Sequence, residues 1–427
     1  MKYAELSKTE LVQLKEKLTA KYDEYKAQGL KLDMSRGKPA PIQINISDEL
    51  LNVVSKTEDT KSASGVDYRN YGILEGIPEI RDMFSKVFDV PAENVIACGN
   101  SSLNLMYDAI ARAYIFGVPG GKLPWGKQEK IKFLCPVPGY DRHFAICEKF
   151  GIEMINIDMT PTGPDMDMVE KLVANDETIK GMWCVPKYSN PQGITYSDET
   201  VRRLAALKPK ADDFRIFWDN AYYIHFFDRN TDEKLLNIYE EAHKAGNEDI
   251  FFMFSSTSKI TYPGGGVAFI FASKNNIDYI KSHMTVQTIG FDKIQQLRHV
   301  KFFKTPENVI KHMEGHGAFM KPKFDAVSDT FEKEFAGLGI AEWVKPNGGY
   351  FISLDVLDGC AKRVHALAKE AGVTLTNAGA TFPYGNDPRD RNLRIAPSYP
   401  TPEELTQAIS VLCVCVKLAA VEKLLAE

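Results

Sequence analysis

The chain has 427 residues, of which 44% are hydrophobic and 26% charged, and these proportions are ordinary for a soluble globular protein. The length allows more than one domain and a large buried core. The formal net charge of -5 provides no basic surface for nucleic acid or for an anionic membrane, so neither partner is expected.

The first predicted element is a charged, helix-periodic segment within residues 1–45, which is followed by an extended arm. This segment lacks the apolar run and the cleavage site of a secretory signal. The most apolar late segment, residues 409–420, is interrupted by Ser410 and Lys417 and is too short to span a bilayer. The cysteines are odd in number and form no Cys-x-x-Cys pair, which indicates buried free thiols and not disulfides or a zinc site. We therefore expect a cytoplasmic protein with no bound metal.

Strand candidates alternate with helix-like stretches from about residue 94 onward. Most of them are continuously apolar, which is typical of strands that are covered by helices on both faces. The middle of the chain therefore predicts a doubly wound α/β domain with a mostly parallel, seven-stranded sheet. The candidates are residues 94–98, 131–135, 152–157, 181–185, 214–218, 250–254 and 267–272.

From about residue 310 the pattern changes to helices mixed with shorter strands, at residues 349–356 and 391–397. The last segment begins with Thr401 and Glu404, which predict a capping box at the start of a helix. We interpret the two ends of the chain as one smaller α+β domain beside the large domain. The expected division is 1–45 and 311–427 for the smaller domain and 46–310 for the large one.

Polar and aromatic residues follow several strand candidates at their carboxyl ends, where ligands bind in parallel α/β sheets. Ser101 and Ser102 open an amphipathic helix whose free N–H groups could hold an anion, although a simple helix cap explains these serines at least as well. Tyr140 lies on a proline-stiffened turn and could lie flat against an aromatic ligand. Asn190 precedes a proline and could donate its amide to a ligand oxygen, although ordinary turn chemistry explains it nearly as well.

The next two strand candidates end in residues with a stronger chemical signal. Asp219 ends an apolar strand, where a carboxylate is costly unless it faces a positive partner, and a helix cap is the plainer alternative. Tyr222, three residues later, is better explained by a ligand that both residues share. Lys259 stands between a serine-rich run and a glycine cluster, where partial desolvation would make it a usable amine nucleophile. A solvated loop lysine explains this stretch equally well on its own.

Together these residues meet the needs of one cofactor, pyridoxal 5'-phosphate. It requires an amine for a Schiff base, an acid that keeps its ring nitrogen protonated, donors to its ring oxygen and an anion cradle for its phosphate. All of these groups emerge at one sheet edge, in an order and spacing that fits this cofactor. Lys259 is therefore predicted to be the Schiff-base lysine.

Four motifs carry a resemblance to a known family: 35-SRGKP-39, 67-DYRNYGILEGIPEIR-81, 255-SSTSK-259 and 394-RIAPSYP-400. The chain resembles the class I, fold-type I pyridoxal-phosphate-dependent aminotransferases over essentially its whole length, and it is most similar to the aspartate aminotransferase subgroup Ic. By this resemblance, Tyr140 stacks on the cofactor ring, and Asn190 and Tyr222 hold the ring oxygen. The same resemblance makes Asp219 the partner of the pyridine nitrogen.

The resemblance also implies how the phosphate is held. Phosphate contacts are implied for Ser101, Ser102 and Ser256. Tyr71 resembles a tyrosine that reaches the phosphate of the neighbouring subunit, so a homodimer is expected. The family usually has an arginine eight residues after the lysine, whereas this chain has Val267 there. Glycine N–H groups or residues 285–290 of the partner subunit are expected to complete the phosphate site.

Arg394 resembles the arginine that binds the substrate α-carboxylate, with Gly37 beside it. A dicarboxylic substrate such as aspartate or glutamate needs a second cation, for which Arg36 is the first candidate and Arg142 and Arg298 are the next. A solvated loop arginine is nearly as good an explanation of Arg36.

The expected activity is transamination between an amino acid and a 2-oxo acid by a ping-pong mechanism, in which Lys259 is freed from its Schiff base and moves a proton from the substrate Cα to C4′ of the cofactor. Two alternatives stay open. One is another reaction of the same cofactor, such as β-elimination or decarboxylation. The other is the effector domain of a transcription regulator, which would need a DNA-binding segment of about 60 residues that the first 45 residues do not provide.

Overall fold

The computed structural model describes residues 2–427, which form a large sheet, two small sheets and the helices around them. The strands are β1 Leu32–Asp33, β2 Val95–Ala97, β3 Lys132–Val137, β4 Glu153–Thr160, β5 Gly163–Pro164, β6 Ile179–Cys184, β7 Arg215–Asp219, β8 Phe251–Ser256, β9 Ala268–Phe271, β10 Ala341–Trp343, β11 Ile352–Val356, β12 Val373–Thr374 and β13 Asn392–Ile395. The helices are α1 Lys8–Lys26, α2 Pro41–Asn45, α3 Pro78–Phe88, α4 Ser102–Phe116, α5 Asp141–Lys149, α6 Met166–Asn175, α7 Asp198–Ala205, α8 Ile238–Lys244, α9 Lys274–Gln287, α10 Lys293–Phe303, α11 Pro306–Phe335, α12 Ala361–Glu370 and α13 Pro402–Ala426.

The large sheet has the strand order β2-β9-β8-β7-β6-β3-β4-β5. Its central strands β8, β7, β6, β3 and β4 are parallel to one another, whereas β9 runs antiparallel to both of its neighbours. All seven predicted strands are present, which confirms the mostly parallel α/β sheet. An additional short strand, β5, pairs antiparallel with the end of β4 and was missing from the prediction because two residues carry no periodic pattern.

The central strands are buried on both faces, as their continuously apolar sequences predict. Every residue of β6 and β7 is buried. Successive side chains of a strand point to opposite faces, and the cores on the two faces are separate: Leu134 and Ile216 belong to one hydrophobic cluster, whereas Phe133 and Phe217 belong to the other. Because a hydrophobic core packs on each face, the sheet is a rigid support for the residues at the carboxyl ends of its strands.

The two ends of the chain meet in the smaller part of the structure. Strands β10, β11 and β13 form an antiparallel sheet, and β1 of the N-terminal arm pairs in parallel with β12 through Leu32 and Val373. The N-terminal helix α1 packs on the C-terminal helix α13, which begins with the predicted capping box at Thr401. Helix α11 is continuous across residue 310, where we expect the domain boundary. That boundary stays a prediction.

The predicted thiols are all present as free cysteines in buried positions. Within residues 2–427, no helix combines the length and the apolar character that crossing a membrane requires.

Candidate active site

The residues predicted from the strand ends lie together because β3, β6, β7 and β8 are neighbours whose carboxyl ends share one edge of the sheet. Tyr140 follows β3, Asn190 follows β6, Asp219 ends β7, and Lys259 follows β8. The small sheet adds Arg394 from β13. The candidate active site therefore lies between the carboxyl edge of the large sheet and the small sheet.

Lys259 ends a single helical turn, Thr257–Lys259, that starts where β8 stops. Its Nζ lies 4.9 Å from the ring centre of Tyr222 and 5.8 Å from that of Tyr350. Burial lowers the pKa of Lys259 below its usual value, and the negative charge of Asp219 partly opposes this shift. The surroundings thus favour the neutral amine more than water does.

The turn that carries Lys259 is anchored by Thr257, which is fully buried. The Thr257 N–H donates to the carbonyl of Val267 at 2.8 Å, and its Oγ1 accepts from the Val267 N–H at 2.9 Å. Nε2 of His299 lies 3.0 Å from the hydroxyls of both Thr257 and Thr261, while Nδ1 lies 2.8 Å from the carbonyl of Gln295. Sequence reasoning missed His299 because it lies on α10, and no local pattern links it to the lysine.

Asp219 is 3% exposed and is held by a histidine that sequence reasoning also missed. Nε2 of His143 lies 3.0 Å from Oδ2 of Asp219, and the imidazole stacks on Trp183 at 4.2 Å between ring centres. The second carboxylate oxygen, Oδ1, is buried and has no hydrogen-bond partner in the described chain. One signal was available in the sequence, because His143 follows Tyr140 by three residues and therefore lies near it at the start of a helix.

Tyr140 and Tyr222 are both buried enough to be held as neutral phenols. Tyr140 immediately precedes α5, and burial, reinforced by the charges of Asp219 and Asp141, raises its pKa to about 12. Burial also raises the pKa of Tyr222 well above its usual value. A neutral phenol can donate a hydrogen bond to a ligand oxygen, as the role proposed for Tyr222 requires.

The predicted phosphate contacts lie on two turns that are hydrogen-bonded to each other. Ser101 precedes α4 without capping it by its side chain, and Ser102 is the first residue of the helix. On the other turn, Oγ of Ser256 lies 2.9 Å from Oγ of Ser258, which donates to the carbonyl of Asn100 at 3.0 Å. The free N–H groups of the first turn of α4 and these hydroxyls provide the donors that a phosphate needs.

Val267 cannot replace the arginine that the family usually has at this place. Its side chain is 1% exposed, and its backbone is fixed to Thr257 by the two hydrogen bonds described above. The residue therefore stabilises the lysine turn and carries no charge to a phosphate.

Arg394 is 8% exposed and makes hydrogen bonds through both of its terminal nitrogens. Nη1 donates to Oδ1 of Asp141 at 2.7 Å and to Oδ1 of Asn190 at 3.3 Å, and Nη2 donates to Oγ1 of Thr376 at 3.3 Å. The guanidinium carbon lies 4.8 Å from the ring centre of Phe351. Since Asn190 accepts through its oxygen, its amide nitrogen is left for a ligand.

Gly37 lies beside Arg394 through Phe351. A Cβ at position 37 would come within 2.3 Å of Cζ of Phe351, so only glycine allows this close approach. The segment is held from the other side as well, because the Ser398 hydroxyl donates to the carbonyl of Lys38 at 3.0 Å and Nζ of Lys323 donates to the carbonyl of Ser398 at 2.8 Å.

Four predicted residues are not brought into this cluster. Arg36 and Arg142 are exposed, and Arg298 donates to Gln295 on its own helix. Tyr71 is 83% exposed. It lies near Gly290, which packs closely on the next residue of the chain, since a Cβ added at Gly290 would lie 2.7 Å from the carbonyl oxygen of Gly72. Their roles stay predictions.

The cluster fits pyridoxal phosphate in its donors and acceptors. The unpaired Oδ1 of Asp219 is a buried acceptor that needs a cationic donor such as a protonated ring nitrogen. Lys259 is a desolvated amine, and the start of α4 offers free N–H groups to an anion.

The chain is similar to known aminotransferases along nearly its whole length. The family model described as aspartate amino-transferase matches residues 6–427. An aspartate aminotransferase of Corynebacterium glutamicum is 47% identical over 409 residues, covering 95% of this chain and 94% of the relative. The crystal structure of an aspartate transaminase from Corynebacterium glutamicum matches with a TM-score of 0.97 and 44% identity, covering 99% of each chain. The α-aminoadipate aminotransferase of Thermus thermophilus, complexed with N-(5'-phosphopyridoxyl)-L-leucine, has a TM-score of 0.74 at 18% identity and covers 95% of each chain, so it shares the fold alone.

The fold is that of the fold-type I aminotransferases, which depend on pyridoxal phosphate. The chain belongs to the aspartate aminotransferase family, and it is a transaminase.

Proposed function

We propose that this transaminase transfers the amino group of aspartate or glutamate to a 2-oxo acid in two half-reactions, with pyridoxal phosphate bound at Lys259. The observation that carries the proposal is the buried, unpaired Oδ1 of Asp219, which lies on the strand next to the one that presents Lys259. A carboxylate oxygen without a partner in this position is costly in the absence of a cationic ligand. A protonated pyridine ring is such a ligand.

Each residue then has one task. When bound, pyridoxal phosphate supplies an electron sink for the carbon–hydrogen bond that breaks at the substrate Cα. Asp219, oriented by His143, holds the proton on the ring nitrogen, and Asn190 and Tyr222 donate to the ring oxygen. Lys259 takes the proton from the substrate Cα, for which its lowered pKa is suited. Tyr140 covers one face of the ring and excludes water from it.

Arg394 binds the substrate α-carboxylate, because a guanidinium fork matches a carboxylate in shape and charge. Arg36, beside Gly37, binds the side-chain carboxylate, with Arg142 and Arg298 as the alternatives. Tyr71 contributes to the phosphate site of the second subunit of a homodimer, and its exposure on the single chain is consistent with that role. The enzyme acts in the cytoplasm.

The test is a set of single half-reactions of the purified holoenzyme with aspartate, glutamate, alanine, leucine and phenylalanine. We expect aspartate and glutamate to convert the bound cofactor to its aminated form, which absorbs at shorter wavelength, and to release oxaloacetate and 2-oxoglutarate. Asp198→Asn, on the exposed start of α7, serves as the unaffected control variant. Faster conversion with leucine or phenylalanine would overturn the dicarboxylate assignment. Release of ammonia and fumarate, or of carbon dioxide and alanine, from aspartate would instead indicate a lyase or a decarboxylase.

A further inference from the structure

The arginine proposed to bind the substrate is already paired with a carboxylate of its own chain. Nη1 of Arg394 lies 2.7 Å from Oδ1 of Asp141, and the two side chains are 8% and 32% exposed. Asp141 is the first residue of α5, after a strand of the large sheet, whereas Arg394 lies on β13 of the small sheet. The ion pair therefore joins the two sides of the active site.

The hydrogen bonds of Arg394 leave only part of its guanidinium group free. Nη1 carries two hydrogens, and they are directed to Asp141 and Asn190. Nη2 donates one hydrogen to Thr376, while the buried Nε has no partner in the described chain. Because Nε is buried, an arriving carboxylate finds one free hydrogen of Nη2, and it gains a hydrogen of Nη1 only if Asp141 leaves.

We propose that Asp141 is a specificity-determining residue that competes with the substrate α-carboxylate for Arg394. The proposal rests on the proposed function, since it takes Arg394 as the α-carboxylate site. A buried guanidinium without a counter-ion is costly, and Asp141 supplies that counter-ion while the site holds no substrate. Any anion that binds Arg394 must either displace Asp141 from the guanidinium group or bind against the repulsion of the Asp141 charge.

This competition selects against ligands that have one anchor only. A simple carboxylate or an inorganic anion offers Arg394 no more than Asp141 already does, and Asp141 has the advantage of being tethered. An amino acid with a second carboxylate makes additional contacts at its amino group and its side chain. Those contacts provide the free energy that the exchange at Arg394 requires, so Asp141 favours substrates that bind at several points.

A structural role for Asp141 predicts the opposite result in binding. An acidic residue at the start of a helix stabilises it by interaction with the helix dipole, and its removal would loosen α5 and weaken ligand binding. Asp198 occupies the same first position of α7 and is the matched control for this effect. Competition predicts that removal of the Asp141 charge tightens the binding of carboxylates, which loss of helix stability cannot do.

The experiment measures the binding of succinate and of acetate to the holoenzyme by titration calorimetry, in wild type, Asp141→Asn and Asp198→Asn. Asparagine keeps the shape of the side chain and an oxygen that accepts from Arg394. We expect Asp141→Asn to bind both ligands more tightly, by about tenfold or more. Its KM for aspartate should fall while kcat changes less. Asp198→Asn should bind as wild type does.

Unchanged or weaker binding by Asp141→Asn would overturn the proposal. If that variant unfolds at a lower temperature than Asp198→Asn does, the decisive comparison is made with Asp141→Ser, which also removes the charge and keeps a polar side chain. Arg394→Met separates this proposal from the proposed function. Succinate binding that is unaffected by Arg394→Met would show that the carboxylate site itself is wrongly assigned. Loss of binding in Arg394→Met, without tightening in Asp141→Asn, would overturn the role of Asp141 alone.

Discussion

His143 and Asp219 form a buried pair in which Nε2 of the imidazole lies 3.0 Å from one carboxylate oxygen, while the other oxygen has no partner among residues 2–427. The histidine is fixed in turn by stacking on Trp183. The pair therefore presents one fixed, charged acceptor atom to a ligand, which is what electrostatic stabilisation of a cationic ring requires.

Asp219→Asn tests this acceptor. We expect the variant to retain the bound cofactor through the phosphate site and Tyr140 but to lose transamination by about 10²–10³-fold, since a fixed charge at a developing cation has effects of this size. Steady-state kinetics and the cofactor content of the purified protein provide the measurement. His143→Gln should lose less, because it changes only the orientation of the carboxylate. Near-normal turnover in Asp219→Asn would remove this residue from the mechanism.

Lys259→Ala tests the nucleophile. Removal of the amine should abolish the visible absorbance of lysine-bound pyridoxal phosphate and reduce turnover by about 10²–10⁴-fold, the range of general acid–base catalysis. Borohydride reduction of the wild type followed by peptide mapping should attach the cofactor to residue 259. The exposed Lys274, on α9, serves as the control substitution. Attachment of the cofactor to any other lysine would contradict the assignment.

A homodimer with shared sites predicts complementation between two inactive variants. Chains with Lys259→Ala and chains with Tyr71→Ala should each have low activity, whereas hybrid dimers contain one intact site. Random mixing after reversible dissociation should restore about a quarter of the wild-type activity, since half of the dimers are hybrids and each has one working site of two. Two differently tagged chains allow the hybrids to be purified. Hybrids that form and remain inactive would mean that each site is complete within one chain.

Arg36→Ala tests the side-chain carboxylate site. We expect KM for aspartate to rise by about two- to fivefold, with little change for alanine, because an ion pair with an exposed arginine contributes on the order of 0.2–1 kcal/mol. Arg142→Ala is the matched variant, since this arginine is also exposed. Equal effects of Arg36→Ala on both substrates would argue against this role.

The pKa of His299 predicts how the free energy of unfolding depends on pH. Burial lowers its pKa from the usual 6.5 to about 4, so the unfolded chain binds its proton at a higher pH than the folded chain does. The stability that depends on neutral His299 is fully present above pH 6.5 and is lost as the pH falls toward 4. The total loss is on the order of 3 kcal/mol.

The measurement is the midpoint of urea unfolding between pH 7 and pH 4.5 for wild type and for His299→Gln. The variant should be less stable at pH 7, because the contacts with Thr257 and Thr261 change, and its stability should fall less steeply with acid. His243→Gln is the control, since that histidine is exposed. An equally steep fall in His299→Gln would show that other groups cause the acid sensitivity.

The sequence was sufficient for the residues whose position follows from the sheet. Lys259 and Asp219 each follow a continuously apolar strand, and the neighbouring carboxyl ends of parallel strands bring them together. The sequence was insufficient for His143 and His299, since each is placed by the packing of a helix on the sheet. It also did not predict the Arg394–Asp141 pair, because two residues 253 positions apart in the chain have no shared local pattern.

The pairing of β1 with β12 escaped prediction for a similar reason. Each of these strands has two residues, and neither shows the alternation by which longer strands are recognised. Tyr71 and Arg36 remain unassigned by the single chain, because both are exposed and a side chain in solvent is not fixed by its neighbours.

The pairing of Leu32 with Val373 joins the two ends of the chain in the smaller part of the structure. This part therefore depends on residues that are synthesised first and residues that are synthesised last. The large sheet is built from a continuous stretch, residues 95–271, so all strands of the edge that presents Lys259 and Asp219 are synthesised before residues 272–427. The opposite wall joins Gly37 to Phe351 and requires Arg394, so it is completed only when nearly the whole chain has left the ribosome. The strands whose edge presents Asp219 and Lys259 are therefore synthesised before the wall to which the proposed function assigns recognition of the amino acid.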